Sequence, residues 1–277
     1  MAFTIVGDAA VLMGGVDKTR PAAVFTGGNT DDAYAIDALA AARTLANDTL
    51  GTVMAWIMPG DRTSTCAIVS FNDADVVEFI DFKIVAGKLT AACTDGTTPK
   101  WATAETTASV TTPHVWYHVA LVQDGTAPKL YVNGVERDLT YTVTTDKTTW
   151  FSPLDGVDKG WIGASSIGGA GAVGEEFVGA ITEVKYYNTA LTARQILEAS
   201  NDSHLTTGCI AYYRMNDLLD EATGGGTYSM VAVSDAYLTP AYNNFISKVR
   251  KFGAVAADFV GYYEYNGRAS ALVVNAA

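Results

Sequence analysis

The sequence predicts an antiparallel β-sandwich. Three observations carry the prediction. Thr, Val, Ala, Tyr and Gly dominate the chain, apolar runs of about five to nine residues recur, and turn dipeptides separate them. Strands at such short, turn-bounded intervals, with no strand–helix alternation, indicate a sandwich or jelly roll rather than a parallel sheet.

The elements follow in order. Thr52 to Met58 is apolar on both faces, as expected of a central strand covered on both sides, and Pro59-Gly60-Asp61 stops it. Val76 to Val85 turns at Ala86-Gly87-Lys88 into Leu89 to Cys93, which reads as a hairpin. Val115 to Val122 is a further long strand, ended by Asp124-Gly125. Lys129 to Val132 runs into Asn133-Gly134, a pair that accepts the positive φ of both central positions in a type I′ turn. Trp161 to Gly163 and Phe177 to Tyr187 complete the strands. One helix is predicted in this region, Leu191 to Ala199, with Thr192 as N-cap and Ile196 and Ala199 three apart on its apolar side.

Composition narrows the function. The 277 residues, 49% apolar, can bury a large core. Eighteen basic against thirty acidic side chains give a net charge of −12, which argues against a nucleic-acid partner. The balance is uneven: residues 240–277 hold four basic and two acidic side chains, so this tail is expected to contact a different surface. No run approaches the ~18 apolar residues of a membrane helix, and the first eight residues lack the features of a secretory signal. Cys66, Cys93 and Cys209 are too few and scattered for a disulfide framework or zinc site, and Cys66 and Cys93 are expected to be buried thiols.

Five segments, in order, resemble the laminin-G-like, concanavalin A-like lectin/glucanase jelly-roll family. They are Phe25 to Ile36 with the paired Asp31-Asp32, Val53 to Pro59, Trp116 to Val122, Leu130 to Gly134, and Phe177 to Leu191. The resemblance implies an all-β concanavalin A-like sandwich over residues 22–207. An N-terminal arm at 1–21 precedes it, and a C-terminal strand, assembly and docking region at 208–277 follows. Gly208 to Asp217 resembles a strand that precedes the opening motif in relatives; here it either starts a second module or folds back onto the first. The family tendency is binding of glycans or protein surfaces, often with calcium. By that resemblance Asp31 and Asp32, helped by Glu175 and Glu176, are the candidate calcium ligands. Thr182 stands where the closing signature has an aspartate.

Other chemistry finds little support. Asp73, Asp75 and Glu78 have nearly the spacing of the family's glycosidase motif, but Asp replaces the nucleophilic Glu and the segment reads as a turn. Only His114, His118 and His204 exist, and His118 lies within a structural strand. Gly169 to Gly174 fits G-x-G-x-x-G in form, yet Glu175-Glu176 and a strand follow it where a phosphate site needs a helix. Trp101, Trp150 and Phe151 stand in polar, loop-like contexts and are the candidate sugar-stacking residues; Trp56, Trp116 and Trp161 are read as core. Tyr242 to Gly253 has helical apolar spacing, and Val255 to Tyr265 and Ala271 to Val274 are strand-like. The expectation is a non-enzymatic structural or adhesion protein of a phage virion (capsid decoration, head fibre or tail), self-associating through its C-terminal region and adhering weakly to glycans. A secreted carbohydrate-binding module is the alternative, ahead of a degenerate hydrolase.

Overall fold

The computed structural model describes residues 21–25, 33–60, 65–73, 78–96, 98–166, 173–203, 205–215, 221–222, 228–233, 237–239, 259–265 and 268–273. Two eight-stranded antiparallel sheets face each other. Sheet A contains β1 (Ala22–Phe25), β3 (Gly51–Pro59), β8 (Tyr117–Gln123), β9 (Pro128–Val132), β10 (Val135–Glu136), β15 (Gly179–Tyr187), β16 (Cys209–Tyr213) and β18 (Tyr237–Thr239). Sheet B runs in the order β11 (Leu139–Thr144), β7 (Thr98–Glu105), β6 (Lys88–Asp95), β5 (Phe79–Val85), β4 (Cys66–Asn72), β12 (Lys159–Ile162), β2 (Ala33–Ala35) and β17 (Val231–Val233). A short hairpin of β13 (Ser165–Ser166) and β14 (Val173–Gly174) follows β12.

The period of two explains the core. Alternate residues of sheet A (Val53, Ala55, Ile57, Val119, Leu121, Ile181) meet alternate residues of sheet B (Phe71, Ile80, Phe82, Ile84, Leu89, Cys93) between the sheets. Cys66 and Cys93 are buried free thiols, as the apolar runs predict. Both expected hairpins form: Ala86 and Gly87 have φ of 50° and 74°, and Asn133 and Gly134 have 50° and 79°.

The expected helix is α2 (Ala193–Ser200), started by a capping box between Thr192 and Gln195. It buries Ile196 and Ala199 against Met54, Ala120, Val122 and Tyr187, and so covers part of the outer face of sheet A. A second helix, α1 (Asp37–Ala46), was not expected; it buries Leu39, Ala40 and Arg43 and ends at Asn47 in the left-handed conformation, φ 59°.

The boundary expected at residue 207 is corrected. β16 pairs with β15, β17 with β2 and β18 with β1, so the chain folds back and residues up to 239 complete the sandwich. β15 serves two partners along one edge, β1 at Gly179–Ile181 and β16 at Val184–Tyr187. β19 (Phe259–Tyr265) and β20 (Arg268–Val273) form a separate two-stranded hairpin. The N-terminal arm and the helix-like Tyr242 to Gly253 lie outside the described residues. No helix among the described residues is long and apolar enough to cross a membrane.

Candidate functional site on the outer face of sheet B

The residues that alternate with the core point outward, and on sheet B they make a continuous surface. One cross-strand row reads Trp161, Ser70, Asp81, Ala92, Ala102, Val143. A neighbouring row reads Lys83, Thr90, Ala104, Thr140. Over β6 and β7 the floor is therefore Thr90, Ala92, Ala102 and Ala104, all half-buried and small. A small-residue strip leaves room for a flat ligand beside the backbone, whereas the outer face of sheet A is partly filled by α2.

A polar wall stands at one side of this strip. The β13–β14 hairpin is rooted on β4, with Gly163 N–H donating to the Ile68 carbonyl at 3.0 Å and Ala67 N–H to the Glu175 carbonyl at 2.7 Å. Its residues meet the outward side chains of β4 and β5. Ser165 Oγ donates to Asp81 Oδ1 at 3.1 Å, and Ser70 Oγ donates to the Ala164 carbonyl at 2.9 Å. Asn72 Oδ1 lies 2.9 Å from Ser70 Oγ and accepts from Ser166 N–H at 3.4 Å. Lys83 Nζ reaches Asp81 Oδ2 at 2.8 Å and also pairs with Glu175. Burial pulls the Lys83 ammonium toward neutrality, but Asp81 and Glu175 outweigh it and hold its pKa above the ordinary value.

Two polar atoms of this wall are buried without a protein partner, Trp161 Nε1 and Ser166 Oγ. Beyond the wall, at the ends of β4 and β5, Glu78 Oε2 accepts from Gly156 N–H at 2.9 Å. A Cβ at Gly156 would fall on the Asp73 carboxylate and close to Glu78, so any larger residue there would displace the Asp73 side chain. Burial raises the Glu78 pKa against the opposing Gly156 hydrogen bond, and Asp155, Asp95 and Asp73 raise it further.

The expected site residues are only partly brought together here. Trp101, Trp150 and Phe151 have no exposed area, which corrects the expectation that they stand in open loops. Trp101 lies inside β7 and donates to the Thr149 carbonyl at 2.8 Å; Trp150 donates to Tyr186 Oη at 3.1 Å; Phe151 packs edge-on against Phe71. Trp150 backs an open cleft of about 330 Å³ bordered by Thr49, Leu50, Gly125, Asp146 and Pro153.

Of the candidate calcium ligands, Asp31 and Asp32 lie outside the described residues. Glu175 pairs with the Lys83 ammonium. Glu176 is half-buried, and no group of three metal-type ligands assembles among the described residues. Asp73 and Glu78 stand at the facing ends of β4 and β5, with Asp73 N–H donating to the Glu78 carbonyl at 2.9 Å, while Asp75 and His204 lie outside the described residues. His118 is buried in sheet A, edge-on to Trp56 at 5.4 Å, in the structural role expected of it. Asp81, Lys83 and Ser165 are not among the residues expected from the sequence. The available signal is the alternation Ile80-Asp81-Phe82-Lys83-Ile84, which sets two charges on one face of an otherwise apolar strand.

No curated protein matches the chain. Among solved structures, the CBM40 of the Ruminococcus gnavus IT-sialidase, bound to α2,3-sialyllactose, aligns with a TM-score of 0.52 at 18% identity, covering 62% of this chain and 94% of that one. The leech intramolecular trans-sialidase aligns at 0.53 and 19% identity; 67% of this chain covers only 28% of that enzyme. A proposed carbohydrate-binding protein of Bacteroides ovatus aligns at 0.51 and 16% identity, covering 81% of this chain and 61% of that one. At these identities the likeness is one of fold. A family model matches residues 27–197, well over half of the sequence, and so the chain belongs to the concanavalin A-like lectin/glucanases superfamily.

Proposed function

We propose that this chain is a non-catalytic module that binds a saccharide on the outer face of sheet B. The observation that carries the reading is the strip of Thr90, Ala92, Ala102 and Ala104, a floor of small outward side chains bordered by the polar wall of Ser70, Asp81, Lys83 and Ser165. Structural neighbours that carry the fold as a sialyllactose-bound CBM40 and as a proposed carbohydrate-binding protein support the same reading.

The assembly role belongs to this proposal as well: a virion component that joins copies of itself or other virion proteins through its C-terminal region. With residues up to 239 built into the sandwich, the β19–β20 hairpin is the described segment left for that role.

Glycan-array screening of the purified chain, followed by calorimetric titration, tests the saccharide reading. Binding is expected to weaken at least about tenfold in the double variant Ala92→Gln/Ala102→Gln, whose longer side chains occupy the strip without adding charge. Unchanged affinity in a folded double variant would move the site elsewhere.

A further inference from the structure

The outer face of sheet A is buried well beyond the area that α2 covers. Residues that alternate with its core positions point outward, and one cross-strand row reads Met58, Ala180, Val24. The next row reads His118, Trp56, Thr182. Ala22, Val24, Met58 and Ala180 are only 3–7% exposed, and His118 and Thr182 are buried too. Helix α2 does not produce this burial, because its apolar contacts are with Met54, Ala120, Val122 and Tyr187 on the other half of the face. Among the described residues, the cluster of Ala22, Val24, Met58 and Ala180 is joined only by half-buried Trp116, which precedes β8 on the same face. An antiparallel sheet with one face on the core normally leaves the other to water, so burial here requires a further layer.

We infer that residues 1–20 of the same chain dock across this half of the face and supply that layer. The path of the chain leads there. β1 and β16 lie end to end along one edge of β15, with the start of β1 directed at β16. Upstream of Ala22 the edge is therefore taken, and the inner side is filled by Ala211, Tyr213 and Met215. Only the outward side is left. Pro21 marks the step, since its carbonyl accepts from Thr182 Oγ1 at 2.7 Å and Thr182 belongs to the outward row. The chain beyond β18 meets no such obstacle, because β18 is the outermost strand. The composition of residues 1–20 suits the surface. Phe3, Ile5, Val6, Val11, Leu12 and Met13 offer apolar area, and Asp8 and Asp17 balance Lys18 and Arg20. Length is ample: twenty extended residues reach up to ~65 Å, against ~15 Å from β8 to β1. Between the two halves of the face, Lys185 pairs with Glu183 at 3.2 Å, so the docked segment meets no uncompensated charge there.

Limited proteolysis of the full chain tests the docking. Lys18 is the trypsin site of the segment, since proline follows Arg20. Cleavage after Lys18 should be at least about tenfold faster in folded Ala180→Glu, which sets a carboxylate beneath the segment, than in the parent. Equal rates would overturn the inference. A chain that begins at Pro21 gives an independent reading. It is expected to keep its near-ultraviolet circular dichroism, while acrylamide quenching of tryptophan rises. That rise should disappear in Trp56→Phe/Trp116→Phe, because these two indoles border the uncovered rows. Quenching that stays at the parent's level in the folded, shortened chain would overturn the inference as well. So would a rise that appears on removing residues 240–277 instead, which would assign the cover to the other end of the chain. If the shortened chain does not fold, the comparison of Ala180→Glu with the parent decides.

Discussion

His118 shows how much a single side chain reports about its surroundings. It points outward from β8 yet is 2% exposed, edge-on to Trp56, and its Nδ1 has no partner. Burial, and secondarily the Lys185 charge, lowers its pKa to about 3. An unfolded imidazole takes up its proton near pH 6.5. Between these two values the unfolded chain binds more protons than the folded one. The stabilisation is therefore complete above pH 6.5 and is lost as pH falls towards 3, by up to about 1.4 kcal/mol per pH unit. Urea unfolding of the parent and of His118→Phe at pH 7.5, 6 and 5 should converge or cross as pH falls, because the variant lacks this slope; parallel curves would show that the imidazole titrates normally. Other residues were less legible. Trp101 follows the outward Thr98 and Lys100 of β7, and Thr103 and Glu105 on its own inward face are polar although buried, so the strand reads as a loop. For Trp150 and Phe151 the covering groups come from β15 and β4, far away in sequence, and no local signal announces them.

At the scale of elements, local chemistry was legible wherever it fixes backbone conformation. Asn133-Gly134 and the Thr192–Gln195 box each act within a few residues, and each forms as expected. Helix α1 shows the opposite case. Its N-cap is Ile36, which makes no side-chain cap hydrogen bond, so the usual start signal is missing, and packing of Leu39, Ala40 and Arg43 holds the helix. The turn at Gly134 also couples two elements. A Cβ there would lie 2.6 Å from Leu197 Cδ1 and 2.9 Å from Leu197 Cα, in α2, and φ is +79°. Gly96 has a positive φ as well, +54°, but a Cβ there would meet nothing within 4 Å. Gly96→Ala should cost only the conformational penalty, about 1 kcal/mol. Gly134→Ala should cost about 2–4 kcal/mol, since it adds steric displacement of α2 to the same penalty. Equal losses in thermal unfolding would mean that α2 is not braced by the turn.

For the whole molecule, the decisive feature is the return of the chain after α2. The family-like segments end at Leu191, and local pattern places a boundary soon after them. Pairing between strands so distant along the chain leaves no local signature, as in the register of Ala23 with Leu238. Ala211, Tyr213, Met215 and Met230 belong to the main core, and β16, β17 and β18 cover edges of β15, β2 and β1. Each of the larger side chains contributes about 1.5–3 kcal/mol when buried, so losing them together approaches the whole stability of an ordinary domain, about 5–15 kcal/mol. A chain ending at residue 207 should therefore fail to fold cooperatively and should aggregate through its uncovered strand edges. A chain ending at Thr239 keeps every strand of both sheets and should unfold in one cooperative transition. Near-ultraviolet circular dichroism separates these outcomes, and light scattering on the folded chain adds the assembly test. If the full chain is a defined oligomer and the chain ending at Thr239 a monomer, association resides in the last thirty-eight residues, as the assembly proposal requires. If both are monomers, the C-terminal region does not assemble the protein, and the saccharide-binding face is left as its one proposed means of attachment.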